Sequence, residues 1–195
     1  VDKYISSEND DFLLKYNLLG VTNEELLMEA EALTFSLRAA EFVRKQYKVS
    51  SFDIQSFKDL HRHFFQDIYP FAGKFRTVQL MKGNTRFCQA QYLDSYAEQI
   101  FKELAEEQEW STLEVAAKRL AYFKTELNML HPFREGNGRT IRSFLHEYAR
   151  SRGIEWQYDQ LDRTEYINAM IRAVTDLSDL ELLFRQTISY TDRPI

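Results

Sequence analysis

Hydrophobic residues recur at helical spacing, three and four apart, along most of this 195-residue chain. Leu26, Ala30, Leu33, Leu37 and Ala40 predict a long helix ending near Tyr47, opened by the capping-box spacing of Thr22-Asn-Glu-Glu25. Ile54, Phe57, Leu60, His61, Phe64, Phe65 and Ile68 predict a second helix. It must stop before Tyr69-Pro70, because the residue preceding proline avoids helical backbone. Tyr96, Ile100, Phe101 and Leu104 follow, closed by the acidic run from Glu106 to Glu109. Leu113, Ala116, Leu120, Phe123, Leu127 and Leu130 form a stripe aimed at the core behind a second box, Ser111-Thr-Leu-Glu114. Ile141, Phe144, Leu145 and Tyr148 make another, running to a stop near Gly153. Asp162 to Glu165 and Ser178 to Glu181 repeat the box and open helices with faces Tyr166, Met170, Ile171, Val174 and Leu180, Leu183, Phe184, Ile188. The first 20 residues lack clear periodicity and predict an arm, 1–21, pinned by Tyr16, Leu18 and Leu19; the tail from Thr191 is expected to fray.

One stretch breaks the helical pattern. Phe75, Thr77, Val78 and Leu80 suggest extended chain, Lys82-Gly83-Asn84 a turn, and Arg86-Phe87-Cys88 a returning strand, so 74–88 predicts a short hairpin with an edge open to another extended chain. With 6 Gly and 3 Pro, the remainder predicts an all-α domain covering 1–195. A net charge of −5 argues against nonspecific nucleic-acid binding, and no apolar run reaches membrane-spanning length. The single cysteine, Cys88, rules out an internal disulfide and fits a small strand residue in a reducing compartment, so a cytosolic setting is expected. Because the chain opens at Val1, a preceding targeting or delivery segment stays open.

The chemistry gathers at His131-Pro-Phe-Arg-Glu-Gly-Asn-Gly-Arg-Thr-Ile-Arg142, between two helices. The second of them is expected to begin near Gly138, presenting unpaired amides and a positive dipole end to an anion such as phosphate. Gly136 and Gly138 allow close backbone approach, and the Asn137 amide is a candidate phosphate donor. Arg139 and Arg142, three apart, share a helical face that suits a polyphosphate. Glu135 offers the hard oxygen Mg²⁺ needs beside phosphates, and His131 is the natural general base. Phe133 is expected to plug the loop into the core. His61 and His63 point about 200° apart on a helix and do not make a metal pair. His61 predicts a core-edge residue, His146 a structural one near the same cleft, and Trp156 could border a nucleotide.

The same twelve residues match the pattern H-P-F-x-[D/E]-G-N-G-R-x-x-R, and the chain resembles the Fic family. Gly73-Lys-Phe-Arg76 before the hairpin is similar to that family's lead into a substrate-binding flap. The resemblance implies a helical domain of seven to eight helices with one β-hairpin flap. It implies transfer of AMP from Mg-ATP to a Tyr, Thr or Ser hydroxyl of a target protein, releasing pyrophosphate. In that reading His131 deprotonates the hydroxyl, Glu135 holds Mg²⁺, and Gly136, Asn137 and Gly138 form an anion hole. Arg139 and Arg142 take the β and γ phosphates, and Thr77, Val78, Gln79, Leu80, Lys82, Gly83 and Asn84 register the target. Glycine at 138 favours AMP transfer over phosphorylation. The family's inhibitory motif, [S/T]-x-x-x-E-[G/N], is missing: Ser143/Glu147 and Ser151/Glu155 are followed by Tyr148 and Trp156. The chain thus resembles toxin-like members restrained by a small antitoxin that supplies the helix, with Arg142 its point of action. A nucleotide-occupied binding module, or transfer of another nucleotide or phosphate, is the alternative; the setting would be bacterial or, for a delivered effector, host cytosol.

Overall fold

The computed structural model describes residues 7–83 and 85–191. The expected role of Asn84 and the fraying beyond Thr191 lie outside the described residues. Eight helices are present among them: α1 (Ser7–Tyr16), α2 (Glu24–Val43), α3 (Ile54–Phe65), α4 (Leu93–Glu106), α5 (Leu113–Leu130), α6 (Asn137–Ser151), α7 (Arg163–Arg172) and α8 (Ser178–Thr187). Two antiparallel ribbons join them: β1 (Met81–Lys82) with β2 (Thr85–Arg86), and β3 (Ile154–Trp156) with β4 (Ile188–Tyr190).

The central member is α5, packed against α4, α6 and α8. Its stripe Ala116, Leu120, Phe123, Leu127 and Leu130 is fully buried, as the spacing predicts. Helix α3 buries Phe57, Leu60, His61, Phe64 and Phe65 on one side, and rings from α3, α4 and α6 meet where Phe144 lies 5.1 Å from Phe57 and 5.7 Å from Phe101. Such edge-on aromatic pairs add about 0.5–1.5 kcal/mol each beyond their buried area.

Several local expectations shift. The arm contains a full helix, α1, because its apolar residues Phe12 and Leu13 dock on the body although too few for a visible period. Caps move by one residue: Asn23, not Thr22, accepts the Leu26 amide at 3.1 Å, and Thr112, not Ser111, accepts that of Val115 at 3.2 Å. Asp162 caps α7 as expected, whereas Ser178 already belongs to α8 and is held by Asp176. A second ribbon, β3–β4, went unpredicted: Gly153 reverses the chain at φ 76°, and Trp156 is buried against Phe184, 4.9 Å away, rather than bordering a cleft.

The largest difference concerns α2. Its conspicuous stripe looks outward, with Leu26, Leu33 and Leu37 57%, 65% and 62% exposed. The side facing the body is one step round the helix and runs through Leu27, Glu31 and Phe35, whose ring meets Phe64 and Phe65 at 5.1 and 5.8 Å. On α7 Ile171 and Val174 are likewise exposed, and Ala169 makes the buried contact. Helical periodicity locates a helix but not the direction in which its apolar side faces. Accordingly Leu27→Ala should cost about 2–5 kcal/mol in chemical denaturation, and Leu37→Ala within about 0.5 kcal/mol. Equal losses would contradict this orientation of α2.

Candidate active site

Helix α5 ends because Pro132 has no amide to continue the ladder, and His131 turns into left-handed backbone at φ 44°, ψ 58°. Five residues later Gly136, at φ 76°, caps α6; a Cβ there would overlap the Phe65 ring, so both backbone and space demand glycine. The intervening peptide groups are removed from water and need partners. Arg76, 3% exposed, supplies many: Nε donates to the His131 carbonyl at 2.8 Å, the other guanidinium nitrogens to Val78 and Cys88, and its own amide to Pro132 at 2.7 Å. Asn137 clamps Phe133 from both sides, accepting its amide at 2.8 Å and donating to its carbonyl at 2.6 Å. The Asn137 side chain therefore braces the turn, with its amide nitrogen already donating to Phe133.

His61 is the third brace. Its Nδ1 accepts the Gly73 amide at 2.8 Å, which fixes Nε2 as the donor to the Glu135 carbonyl at 2.9 Å. The ring stacks on Phe133 at 3.8 Å, and Phe133 is the buried plug that the sequence suggests. Burial pushes His61 down to about 3, against a weaker upward pull from its bond to Glu135. His61 is thus fully buried and functional as a support, not a residue of the core edge. His63 points elsewhere, to the Arg38 carbonyl and the Tyr47 ring.

His131 lies flat against Phe87, with ring centroids 3.7 Å apart. Its Nδ1 sits 3.1 Å from the Asn128 carbonyl, so Nδ1 carries the proton and Nε2 the lone pair. Burial drives its pKa down to about 3, with Arg76, Lys124 and Lys82 acting in the same direction. The ring is therefore neutral and able to accept a proton. It lines a cleft of about 950 Å³ together with the flap residues Lys82, Gly83 and Thr85, the start of α6, and the inner sides of α2 and α7.

At the α6 end of this cleft the amides of Gly138 and Arg139 have no acceptor among the described residues, and nothing occupies the space a Gly138 side chain would take. These are the features that suit an anion. Arg139 is already paired: it bonds to Glu31 of α2 and lies 3.4 Å from Glu135, with Phe35 and Phe65 beneath it. Its pKa is opposed by burial but raised overall by Glu31 and Glu135. Arg142 differs. It stacks on Tyr158 at 5.2 Å and has no carboxylate partner among the described residues. The two arginines share a helix side, as spacing implies, but only one of them enters the cleft without a countercharge.

Glu135 binds the Gly136 amide at 2.7 Å, and its pKa is raised, first by burial and then by the nearby Glu31 carboxylate. Glu31, which also accepts from the Tyr69 hydroxyl, was not apparent from the sequence. The available signal was an acid on the same side of α2 as Leu27 and Phe35. In the flap, strands are only two residues each, and Leu80 is buried, with its carbonyl taken by the Phe87 amide at 3.3 Å. Thr77, Gln79, Lys82 and Gly83 are exposed and Val78 half-buried, so Leu80 alone of the described flap candidates turns wholly inward. His146 pairs with Glu147 and Glu155 and lies away from the cleft. Among the described residues no group of three or more acidic, His or Cys side chains could by itself hold a metal, and no helix is long and apolar enough to cross a membrane.

A Fic/DOC family model matches residues 51–149, which span α3 to α6 and contain the whole turn. The chain is 36% identical over 176 residues to the probable protein adenylyltransferase y4lH of Sinorhizobium fredii, covering 88% of this chain and 90% of that protein. It is 38% identical over 167 residues to the protein adenylyltransferase VbhT of Bartonella schoenbuchensis, covering 85% of this chain but only 35% of VbhT. The fold is similar to that of BepC from Bartonella tribocorum, solved with bound AMPPNP, at a TM-score of 0.80 and 19% identity over 90% of this chain and 92% of that one. The N-terminal Fic domain of a Bartonella quintana effector, solved with ADP, gives 0.81 at 19% identity, over 90% and 91% of the two chains. The chain belongs to the Fic/DOC family.

The buried neutral His61 makes stability pH-dependent. Its folded pKa of about 3 lies below the unfolded value of 6.5, so between these the unfolded chain binds a proton that the folded one refuses. Stability should fall as pH drops below about 6.5, and His61→Gln should lower proton uptake on unfolding at pH 5 by about one. Denaturant titrations across pH 4.5–7.5 measure this, and an unchanged slope in the variant would rule it out.

Proposed function

We propose that this chain is a nucleotidyltransferase that moves AMP from ATP to a hydroxyl side chain of a target protein. The observation that carries this reading is His131: a neutral imidazole, held by Asn128 in the tautomer with its lone pair on Nε2, lining the same cleft as the open amides of α6. Relatives named protein adenylyltransferase, and similar folds solved with AMPPNP or ADP, support it. A binding module without turnover has no use for a base fixed in this way.

The proposed step is a single displacement. Nε2 of His131 takes the proton of a target Tyr, Thr or Ser hydroxyl as its oxygen bonds to the α-phosphorus. The bond from that phosphorus to the β-bridging oxygen breaks, and pyrophosphate leaves. A base with so low a pKa in the empty cleft gains strength when phosphate charge enters beside it. The Gly138 and Arg139 amides face phosphate oxygens, Gly136 allows the approach, and Arg142 supplies charge to the terminal phosphates. Exposed Thr77, Gln79, Lys82 and Gly83 are where the flap would register an extended segment of the target.

Glu135 fits magnesium in a limited way. It offers one carboxylate whose pKa is raised partly by repulsion from Glu31, and a cation beside it would relieve that repulsion. Phosphates and water would complete the shell, as is usual for Mg²⁺. Bound there, the ion would neutralise phosphate charge. Arg142, half-buried and without a carboxylate among the described residues, supports control by a separate small antitoxin. An acidic side chain on a partner's helix would pair with it and exclude phosphate. The cytosol is the setting for this reading.

The test is to incubate the protein with Mg²⁺, ATP labelled at the α-phosphate and bacterial lysate. Labelled protein bands are expected from the wild type, and His131→Ala should reduce the rate by roughly a hundredfold or more. Equal labelling in the two proteins would overturn the role of His131. Transfer of a γ-label instead would indicate phosphorylation.

A further inference from the structure

Lys124 has no place in the chemistry described so far. It sits on α5, four residues before Asn128 and seven before His131, so all three share one side of the helix and line the cleft. The residue is 2% exposed, yet it has no hydrogen-bond or ion-pair partner among the described residues. Its Nζ is not sealed in the core but keeps contact with the cleft. A lysine buried this deeply is ordinarily paired.

The groups facing this corner are cationic or neutral. Arg142 of α6 acts on Lys124 and on Tyr166 of α7, Lys124 and Lys82 act on His131 at the end of α5, and Arg163 lines the same cleft. The acidic groups of the cleft belong elsewhere: Glu31 and Glu135 are gathered round Arg139, and Asp10 and Glu24 belong to the wall of α1 and α2. Buried Lys124 and half-buried Arg142, neither with a carboxylate among the described residues, form a built site for a multiply charged anion.

We infer that Lys124 binds the terminal phosphates of a nucleoside triphosphate, acting with Arg142 as the polyanion-binding corner of the cleft. This rests on the cleft being the nucleotide site proposed above. In the empty protein Lys124 is pushed down to about 7, by burial first and by Arg142 second. At pH 8 it is therefore mostly neutral. An arriving polyphosphate reverses the local charge, and the amine takes a proton from solvent as the anion binds. Above pH 7 the empty corner thus avoids a buried ammonium beside Arg142, and the filled one presents both charges.

Calorimetric titration of ATP, ADP and AMP with Mg²⁺, in buffers of different ionisation enthalpy at pH 8 and pH 6, tests this. For the wild type, ATP should bind with uptake of close to one proton at pH 8 and little at pH 6. Lys124→Met, an apolar side chain of similar length, should weaken ATP roughly ten- to a hundredfold, lose the proton uptake and leave AMP affinity unchanged. Lys124→Ala should behave in the same direction. Equal loss for all three nucleotides would mean a structural role, and unchanged ATP affinity and proton uptake would remove Lys124 from the site; either overturns the inference. A wild type that binds no nucleotide would instead overturn the reading of the cleft itself, and this inference with it.

Discussion

The cleft depends on how the peptide groups of one short turn are satisfied away from water. Pro132 and a left-handed His131 break α5, and Gly136 starts α6, so the carbonyls between them cannot join a helical ladder. Arg76, Asn137 and His61 take them up instead, from the flap lead, the new helix and α3 respectively. The turn is rigid because each brace is buried and bonded at more than one atom. Removing any one leaves an unsatisfied buried group, at about 1–3 kcal/mol, and loosens the turn that carries His131.

The braces tie the flap to His131. Arg76 bonds to His131 at one end and to Val78 and Cys88 at the roots of the hairpin, while Phe87 stacks on the His131 ring. A ribbon of two-residue strands is too short to be stable alone. Here its position is set by the same guanidinium that holds the His131 backbone carbonyl. An extended chain added to the hairpin edge would be aligned with His131 by construction, which is the geometric requirement for accelerating a transfer between two bound groups.

Charge divides the cleft into two parts. One holds Arg139 between Glu31 and Glu135, nearly self-compensated. The other holds Arg142 and Lys124 with no carboxylate among the described residues. The second part is the one proposed above to take a polyanion, and the acidic edge of the first the one proposed to take Mg²⁺. Apolar residues of α7, Ile167, Met170 and the exposed Ile171, form one rim of the cleft.

Much of this was legible in the amino-acid order. Helix positions follow from local spacing, and the run from His131 to Arg142 carries its own break, cap and titratable groups, so its helix-turn-helix form needs no distant information. What tertiary structure decided is which partners come from far along the chain. Glu31 meets Arg139 across 108 residues, Arg76 meets His131 across 55, and the β3–β4 ribbon closes only because α7 and α8 return the chain. The outward stripe of α2 and the inward Asn137 side chain have the same origin. Periodicity and residue type define what a segment offers, whereas the direction it faces, and whether an arginine arrives already paired, depend on neighbours that sequence spacing does not encode.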